Sequence, residues 1–261
     1  MDADNETGVV EPDHGPVLGD RVAIVTGAST GLGRRVARVL AGAGAKIVLA
    51  SRSADRDDEL AATLPDALAV RCDVRSAEDR GALVTAALEQ YGRVDLLVNN
   101  AGIAAAGPAE DETPQLWDDL IATNLYGLFA LTQLVGRHML ERRSGVIVNM
   151  ASPAARISLD RYGLAGYSAT KAGVVALTRE LASQWGDRGV RVNALAPNFF
   201  PSNTSGWLQD PDQVAWIAAR APLARPARAD ELDGPLLFLA SDMSSYVTGQ
   251  TLYVDGGWNC R

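Results

Sequence analysis

The stretch RVAIVTGASTGLGRRVARVLAGAG, residues 21–44, decides how the rest of the chain is read. Its first seven residues are a short continuous apolar run, the pattern of a strand buried on both faces. LGRRVARVLAGAG (32–44) then has helical apolar spacing and ends in glycines. Between them lies TGASTGLG (26–33). Gly27 permits a sharp turn, Gly31 lets the backbone approach a pyrophosphate, and Gly33 lets helix and strand pack closely. The helix start offers unpaired N–H groups and a partial positive charge to phosphates. The spacing is G-x-x-x-G-x-G, not G-x-G-x-x-G, so the generic dinucleotide fingerprint is only partly met. A bare glycine turn is the plain alternative.

Outward from this unit the alternation continues. Strands are expected over 46–52, 67–74, 94–102, 145–152, 190–197 and 250–257. Helices are expected between them: a charged one ending at Pro65, then about 76–91, 114–142, 164–185 and 230–241. Continuous apolar strands separated by helices imply a parallel sheet buried on both faces, hence an α/β doubly wound fold of about seven strands. No Pro/Ser-rich linker or internal repeat interrupts it. Residues 1–18 read as a mobile acidic tail and 19–261 as a single domain.

Composition narrows the function. Of 261 residues 47% are hydrophobic, enough for a sizeable core, and the formal charge is −8 without a basic patch, which argues against a nucleic-acid partner. The two cysteines, Cys72 and Cys260, lie far apart and imply no disulfide framework, so a cytoplasmic location is expected. Neither His14 nor His138 has a cysteine at ligand spacing, so no metal site is expected. No segment approaches the ~18 apolar residues that span a bilayer.

The second strand ends in Ser51-Arg52. An acidic residue there accepts both ribose hydroxyls of NAD, whereas a small hydroxyl followed by a guanidinium can bind a 2′-phosphate. NADP(H) is therefore favoured and NAD(H) remains possible. Alternatively Arg52 merely solvates a strand end, with Asp55, Asp57 and Asp58 near enough to neutralise it.

DRYGLAGYSATK (160–171) holds two tyrosines, Tyr162 and Tyr167. On a helix Lys171 shares a face with Tyr167 at i+4, whereas Tyr162 has Gly166 there. At about 5 Å and an effective dielectric near 20, the attraction is roughly 3 kcal/mol, or about two pK units. The phenol of Tyr167 is thus expected to be drawn toward neutrality, where it can exchange protons with an alcohol or ketone. Tyr162 reads as a pocket wall or loop residue.

The chain resembles the short-chain dehydrogenase/reductase family from about Leu18 to Gly257, in its 3-oxoacyl-reductase-like or secondary-alcohol dehydrogenase branch. The features that carry this are TGASTGLG, CDV (72–74), NNAG (99–102), TNLYG (123–127), VNMAS (148–152), YSATK (167–171), RVNALAP (191–197) and YVTGQTLYVDGG (246–257). The resemblance implies a Rossmann fold and a catalytic set of Ser152, Tyr167, Lys171 and Asn124. In it Ser152 steadies the substrate oxygen, Lys171 also binds the nicotinamide ribose, and Asn124 holds a water in a proton relay. A buried Asn satisfying a backbone kink is an alternative that can hold simultaneously.

The resemblance also implies cofactor contacts from Gly27, Ser29, Thr30, Gly31, Leu32, Gly33, Ser51 and Arg52. Further contacts are Asp73 toward adenine, Val74, then Asn100, Ala101 and Gly102 on the fourth-strand edge, and Pro197, Asn198 and Ser202 near the nicotinamide. Asn99 has the additional reading of a strand-tying amide, and Cys72 that of a small buried residue. A homo-oligomer, tetramer or dimer, is implied too.

Asn198 stands where the family commonly has glycine, and the Ser152–Tyr167 interval is about two residues longer than in many relatives. Both departures fall on loops that shape a substrate pocket, here expected around 198–228 and from Pro153, Ala154, Tyr162, Phe199, Phe200 and Trp207. These side chains imply a largely apolar secondary alcohol or ketone, with Arg156 and Arg161 as possible exceptions. The rival readings are a 3-oxoacyl carrier-protein reductase, disfavoured by the acidic charge, and a sugar or polyol dehydrogenase. A halohydrin dehalogenase would replace Lys171 with Arg and lose the glycine loop. A redox-inactive dinucleotide sensor would not need the Ser–Tyr–Lys set.

Overall fold

A computed structural model of the protein describes residues 17–159, 161–201 and 210–260. The glycine loop joins β1 (Val22–Thr26) to α1 (Gly31–Gly42), and β2 (Lys46–Ser51) follows. Next come α2 (Ala54–Ala61), β3 (Ala67–Arg71), α3 (Ala77–Tyr91) and β4 (Leu96–Asn99). The second half contains α4 (Pro114–Ile121), α5 (Leu128–Glu141), β5 (Gly145–Met150), α6 (Ala165–Trp185) and β6 (Val190–Pro197). It closes with α7 (Pro211–Arg220), α8 (Asp233–Ala240) and β7 (Thr251–Val254).

All seven strands pair in parallel, in the order β3-β2-β1-β4-β5-β6-β7. Successive side chains of each strand feed opposite faces. Ala23, Val25, Ile47, Leu49, Val98 and Val148 pack with Val36 and Leu40 of α1 and Leu236 and Leu239 of α8. Val22, Ile24, Val48, Leu97 and Ile147 pack with Leu83 of α3, Leu131, Val135 and Met139 of α5, and Trp185 of α6. Because each fully buried Val, Ile or Leu contributes about 1.5–3 kcal/mol, two covered faces explain why β1 reads as one unbroken apolar run.

Several boundaries differ from the sequence reading. Leu18, assigned to the tail, is fully buried and its N–H donates to Ala43 O at 2.9 Å, so it belongs to the packed chain. The helix expected over 114–142 is broken into α4 and α5 by a π-helical turn, Ala122–Gly127. α7 lies inside a region read as a loop; Asp210 caps it by accepting Asp212 N–H at 3.0 Å, and Pro211 occupies its first turn. The last expected helix begins as a 3₁₀ turn, Ala229–Leu232, before α8.

Candidate active site

The chain leaves β3 at one edge of the sheet and re-enters at β4, beside β1. This reversal opens a crevice at the carboxyl ends of the strands, where α/β sheets bind ligands. The crevice holds about 640 Å³ and is lined by the glycine loop, Ser51, Arg52, Asp73, Val74, Asn100, Ala101, Gly102, Pro197 and Asn198, with Ser152, Tyr167, Phe199 and Phe200 at its far end. Ser202 and Trp207 lie outside the described residues.

The loop suits a pyrophosphate. Gly27 has φ +65°, and a Cβ on it would come within 2.9 Å of Ala101 Cα. A Cβ on Gly33 would collide with the Gly27 carbonyl, so helix and loop touch as backbone alone. Thr30 occupies the N-cap of α1 without a side-chain cap, which leaves the first N–H groups of the helix to the crevice. Asn100 fixes the loop from β4: its Nδ2 donates to Thr26 O at 2.9 Å and Gly27 O at 3.2 Å. Asn99 points into the sheet and donates to Asn149 Oδ1 and Thr132 Oγ1, both at 2.9 Å, tying β4 to β5.

At the β2 end Ser51 is buried and accepts Ser53 N–H at 3.0 Å. Arg52 is exposed and, among the described residues, no ion pair joins it to Asp55, Asp57 or Asp58. Asp73 is gripped by Arg75, whose side-chain nitrogens reach its carboxylate at 2.7 and 3.1 Å. That hydrogen bonding outweighs burial and lowers the Asp73 pKa to about 2.

Ser152 leaves β5 in extended conformation and accepts Ala154 N–H at 3.2 Å. Tyr167 and Lys171 stand one turn apart near the start of α6, with Lys171 Nζ 5.7 Å from the Tyr167 ring centroid. The ammonium is buried and donates to Met150 O at 2.7 Å. Burial lowers its pKa to about 8.

The phenol departs from expectation: burial raises the Tyr167 pKa, the hydrogen bond with Ser152 pulls against it, and no contribution from Lys171 is resolved. Lys171, whose own pKa falls to about 8, has lost its charge before a phenol ordinarily ionises, so it does not offset the desolvation of a phenolate.

Asn124 is fully buried in the π turn. Its Oδ1 accepts Ile103 N–H at 2.8 Å, and its Nδ2 donates to Ile103 O at 2.9 Å and Thr170 Oγ1 at 3.1 Å. A Cβ on Gly102 would sit 3.2 Å from Asn124 Oδ1 and 3.7 Å from Lys171 Nζ, so these three residues converge beneath the crevice. The start of α6 is held from outside: Leu164 gives no side-chain cap, and the Glu112 carboxylate accepts Gly166 N–H at 3.0 and 3.2 Å.

Beyond Tyr167, Tyr162 packs edge-on to Trp216 of α7 (centroids 5.7 Å), and Phe199 and Trp258 complete an aromatic cluster. Pro153 and Ala154 are buried, with Ala154 packed beside that cluster, and Phe200 joins the core below the sheet. Ile103, Ala104, Thr123, Leu159 and Leu164 line the crevice without having been read from the sequence, as do Ser53 and Arg75. Trp216 falls within the 198–228 region expected to shape the pocket, whereas Trp258 was not assigned to the site, and nothing local in the sequence marks it.

Among the described residues, no group of His, Cys, Asp and Glu could hold a metal ion, both cysteines are free, and no helix is long and apolar enough to cross a membrane.

A family model described as enoyl-(acyl carrier protein) reductase matches residues 27–259. The chain is 40% identical over 248 residues to D-threitol dehydrogenase of Mycolicibacterium smegmatis, covering 94% of this chain and 95% of that one. It is 37% identical over 240 residues to a 3-oxoacyl-[acyl-carrier-protein] reductase of Staphylococcus aureus, covering 90% and 96%. A gluconate 5-dehydrogenase from Burkholderia cenocepacia J2315, solved in complex with NADP and tartrate, superposes with a TM-score of 0.88 at 35% identity, covering 94% and 98%. With a crevice that runs from the glycine loop to a serine and a tyrosine, and relatives of this closeness, the chain belongs to the short-chain dehydrogenase/reductase family: it is an NAD(P)-dependent oxidoreductase acting on CH–OH groups.

Proposed function

We propose that the chain interconverts a secondary alcohol and a ketone with NADP(H), using Tyr167 as proton donor, Ser152 as the hydrogen-bonding partner of the reacting oxygen and Lys171 as the charge beneath both. The observation that carries this reading is convergence: Ser152 and Tyr167 line the crevice that begins at the glycine loop, with Lys171 buried behind them. The bound nicotinamide supplies or accepts the hydride. Tyr167, its phenol kept protonated at neutral pH by burial, gives its proton to the carbonyl oxygen in reduction. Ser152 donates to the same oxygen as charge develops on it. Lys171 holds a positive charge below its pKa of about 8, and Asn124 fixes the backbone around it.

Arg52, exposed and, among the described residues, without an ion pair to Asp55, Asp57 or Asp58, supports the preference for a 2′-phosphate. Ile103, Ala104, Leu159, Leu164 and Phe199 support an apolar substrate wall. A second reading, a polyol or sugar-acid dehydrogenase, is favoured by the names of the threitol and gluconate relatives.

The test is a panel of aliphatic and aryl ketones, polyols, aldonates and 3-oxoacyl thioesters with each cofactor, followed by absorbance of the reduced nicotinamide. Fastest turnover of apolar ketones with NADPH upholds the proposal. Turnover confined to polyols installs the second reading, and none with any substrate refutes both. We further take the chain to be a cytoplasmic homo-oligomer; exposed Trp117 and Tyr126 support an assembly face, and light scattering reads the mass directly.

A further inference from the structure

The chain from the end of β2 into α2 reads SRSADRDDEL (51–60), and the buried face of α2 consists of Asp57 and Leu60. Asp57 is 0% exposed, whereas Asp55 and Asp58 face outward. Its backbone N–H donates to Ser53 O at 3.2 Å, yet neither carboxylate oxygen has a full hydrogen-bond partner, and only Ser51 approaches closely enough to help it. A carboxylate removed from water without firm partners is costly, and a leucine would fill the position without that cost.

Ser51 of β2 acts on it through both its hydroxyl and its backbone, and the charges that act on it are the Arg34 guanidinium from α1 and Asp58 from its own helix. Burial raises its pKa; Ser51 and Arg34 oppose that rise and Asp58 adds to it. Ser51 is the link to the crevice. Its Oγ accepts Ser53 N–H at 3.0 Å, while its own proton has only a 3.5 Å contact with Ser53 O and is free to turn toward Asp57. Ser51 and Arg52 both line the crevice, at the strand end where the adenosine ribose of a dinucleotide lies.

We propose that Asp57 is a positioning residue that acts through Ser51 to set how the crevice discriminates a 2′-phosphate from a 2′-hydroxyl on the adenosine ribose. This rests on the nicotinamide-cofactor reading above. When ionised, Asp57 draws the Ser51 proton inward, so that Ser51 turns a lone pair toward the ligand with a negative charge behind it. Both oppose a phosphate and suit a hydroxyl donor. When Asp57 is neutral, Ser51 is free to donate outward beside Arg52, and the phosphate is favoured. Arg52 and Asp57 therefore pull cofactor choice in opposite directions, and Asp57 pulls harder as pH rises.

The experiment measures binding of adenosine 2′,5′-bisphosphate and of 5′-AMP to the full chain, Asp57→Asn and Asp57→Leu by calorimetry, between about pH 5 and pH 8. Both variants should bind the bisphosphate about tenfold more tightly than wild type at the upper end and leave 5′-AMP within about twofold. Because burial raises the Asp57 pKa above the usual carboxylate value, the difference should begin to narrow toward the lower end; titration of the phosphate itself cancels because the variants share it. Thermal melting checks that both variants are folded. An unchanged bisphosphate-to-AMP ratio in folded variants overturns the proposal, as does an equal change for both ligands. If wild type binds neither fragment nor NADPH, the cofactor reading itself fails.

Discussion

At Tyr167 two effects compete. A positive charge one helical turn away lowers the pKa of a phenol, and burial raises it. Burial prevails over the Ser152 hydrogen bond, and Lys171, with its pKa lowered to about 8, is neutral in the range where a phenol ionises. The outcome suits ketone reduction, which needs an acid that keeps its proton until the carbonyl oxygen takes it. Tyr167→Phe should cut turnover by about a thousandfold or more while the NADPH dissociation constant stays within about threefold, measured by quenching of reduced-nicotinamide fluorescence. Normal turnover would remove Tyr167 from the chemistry. Arg52→Asp should lower the ratio of kcat/KM for NADPH over NADH by at least about tenfold. An unaltered ratio places the phosphate elsewhere.

At the scale of elements, α6, which carries Tyr167 and Lys171, is positioned by what meets its first turn. α6 begins without a side-chain cap of its own, and Glu112, from the segment before α4, supplies one through space. The contact is one residue from Tyr167. A second brace lies just ahead of it, where Gly107 N–H donates to Gly163 O at 2.8 Å and a Cβ on Gly163 would collide with the Gly107 carbonyl. Losing the carboxylate should cost about 1–2 kcal/mol of local order. Glu112→Ala is therefore expected to lower kcat about tenfold with little change in KM for the cofactor, and Glu112→Gln, which keeps an acceptor, to recover most of it. Equal kcat values in Glu112→Ala and wild type would show that the brace does not reach the phenol.

For the whole molecule, one buried carboxylate ties the amino edge of the sheet together. Asp95 Oδ2 accepts Val22 N–H at 3.0 Å, and Oδ1 pairs with Arg93 at 2.6 Å and Arg142 at 3.1 Å. Burial pushes its pKa up, but Arg93, Val22 and Arg142 together outweigh it and the net shift is downward. A depressed carboxylate pKa stabilises the fold above its unfolded value of about 3.9 and loses that contribution as pH falls through the folded value. Asp95→Asn should thus cost about 2–3 kcal/mol in urea unfolding at neutral pH and progressively less below about pH 4. A gap that stays constant on acidification would assign the loss to packing instead.

Much of this protein could be read from one dimension. Continuous apolar strands and helical spacing determined the alternation, because burial on both faces forbids polar residues in β1, β2 and β4. The glycine loop, Ser152, Tyr167 and Lys171 could be singled out as candidates because the proposed chemistry depends on residue type at short spacing, and the fold brings the loop, Ser152 and Tyr167 to one crevice. Other features depend on atoms distant in sequence. The π turn at Ala122–Gly127 follows from Asn124 bonding Ile103 and Thr170, and from a Gly127 whose Cβ would come within 2.7 Å of Val74 O. The cap on α6 comes from 54 residues upstream. The direction of the Tyr167 shift and the isolation of Asp57 were likewise decided only by the tertiary structure, because desolvation is set by everything that packs around a group and spacing along the chain carries no record of it.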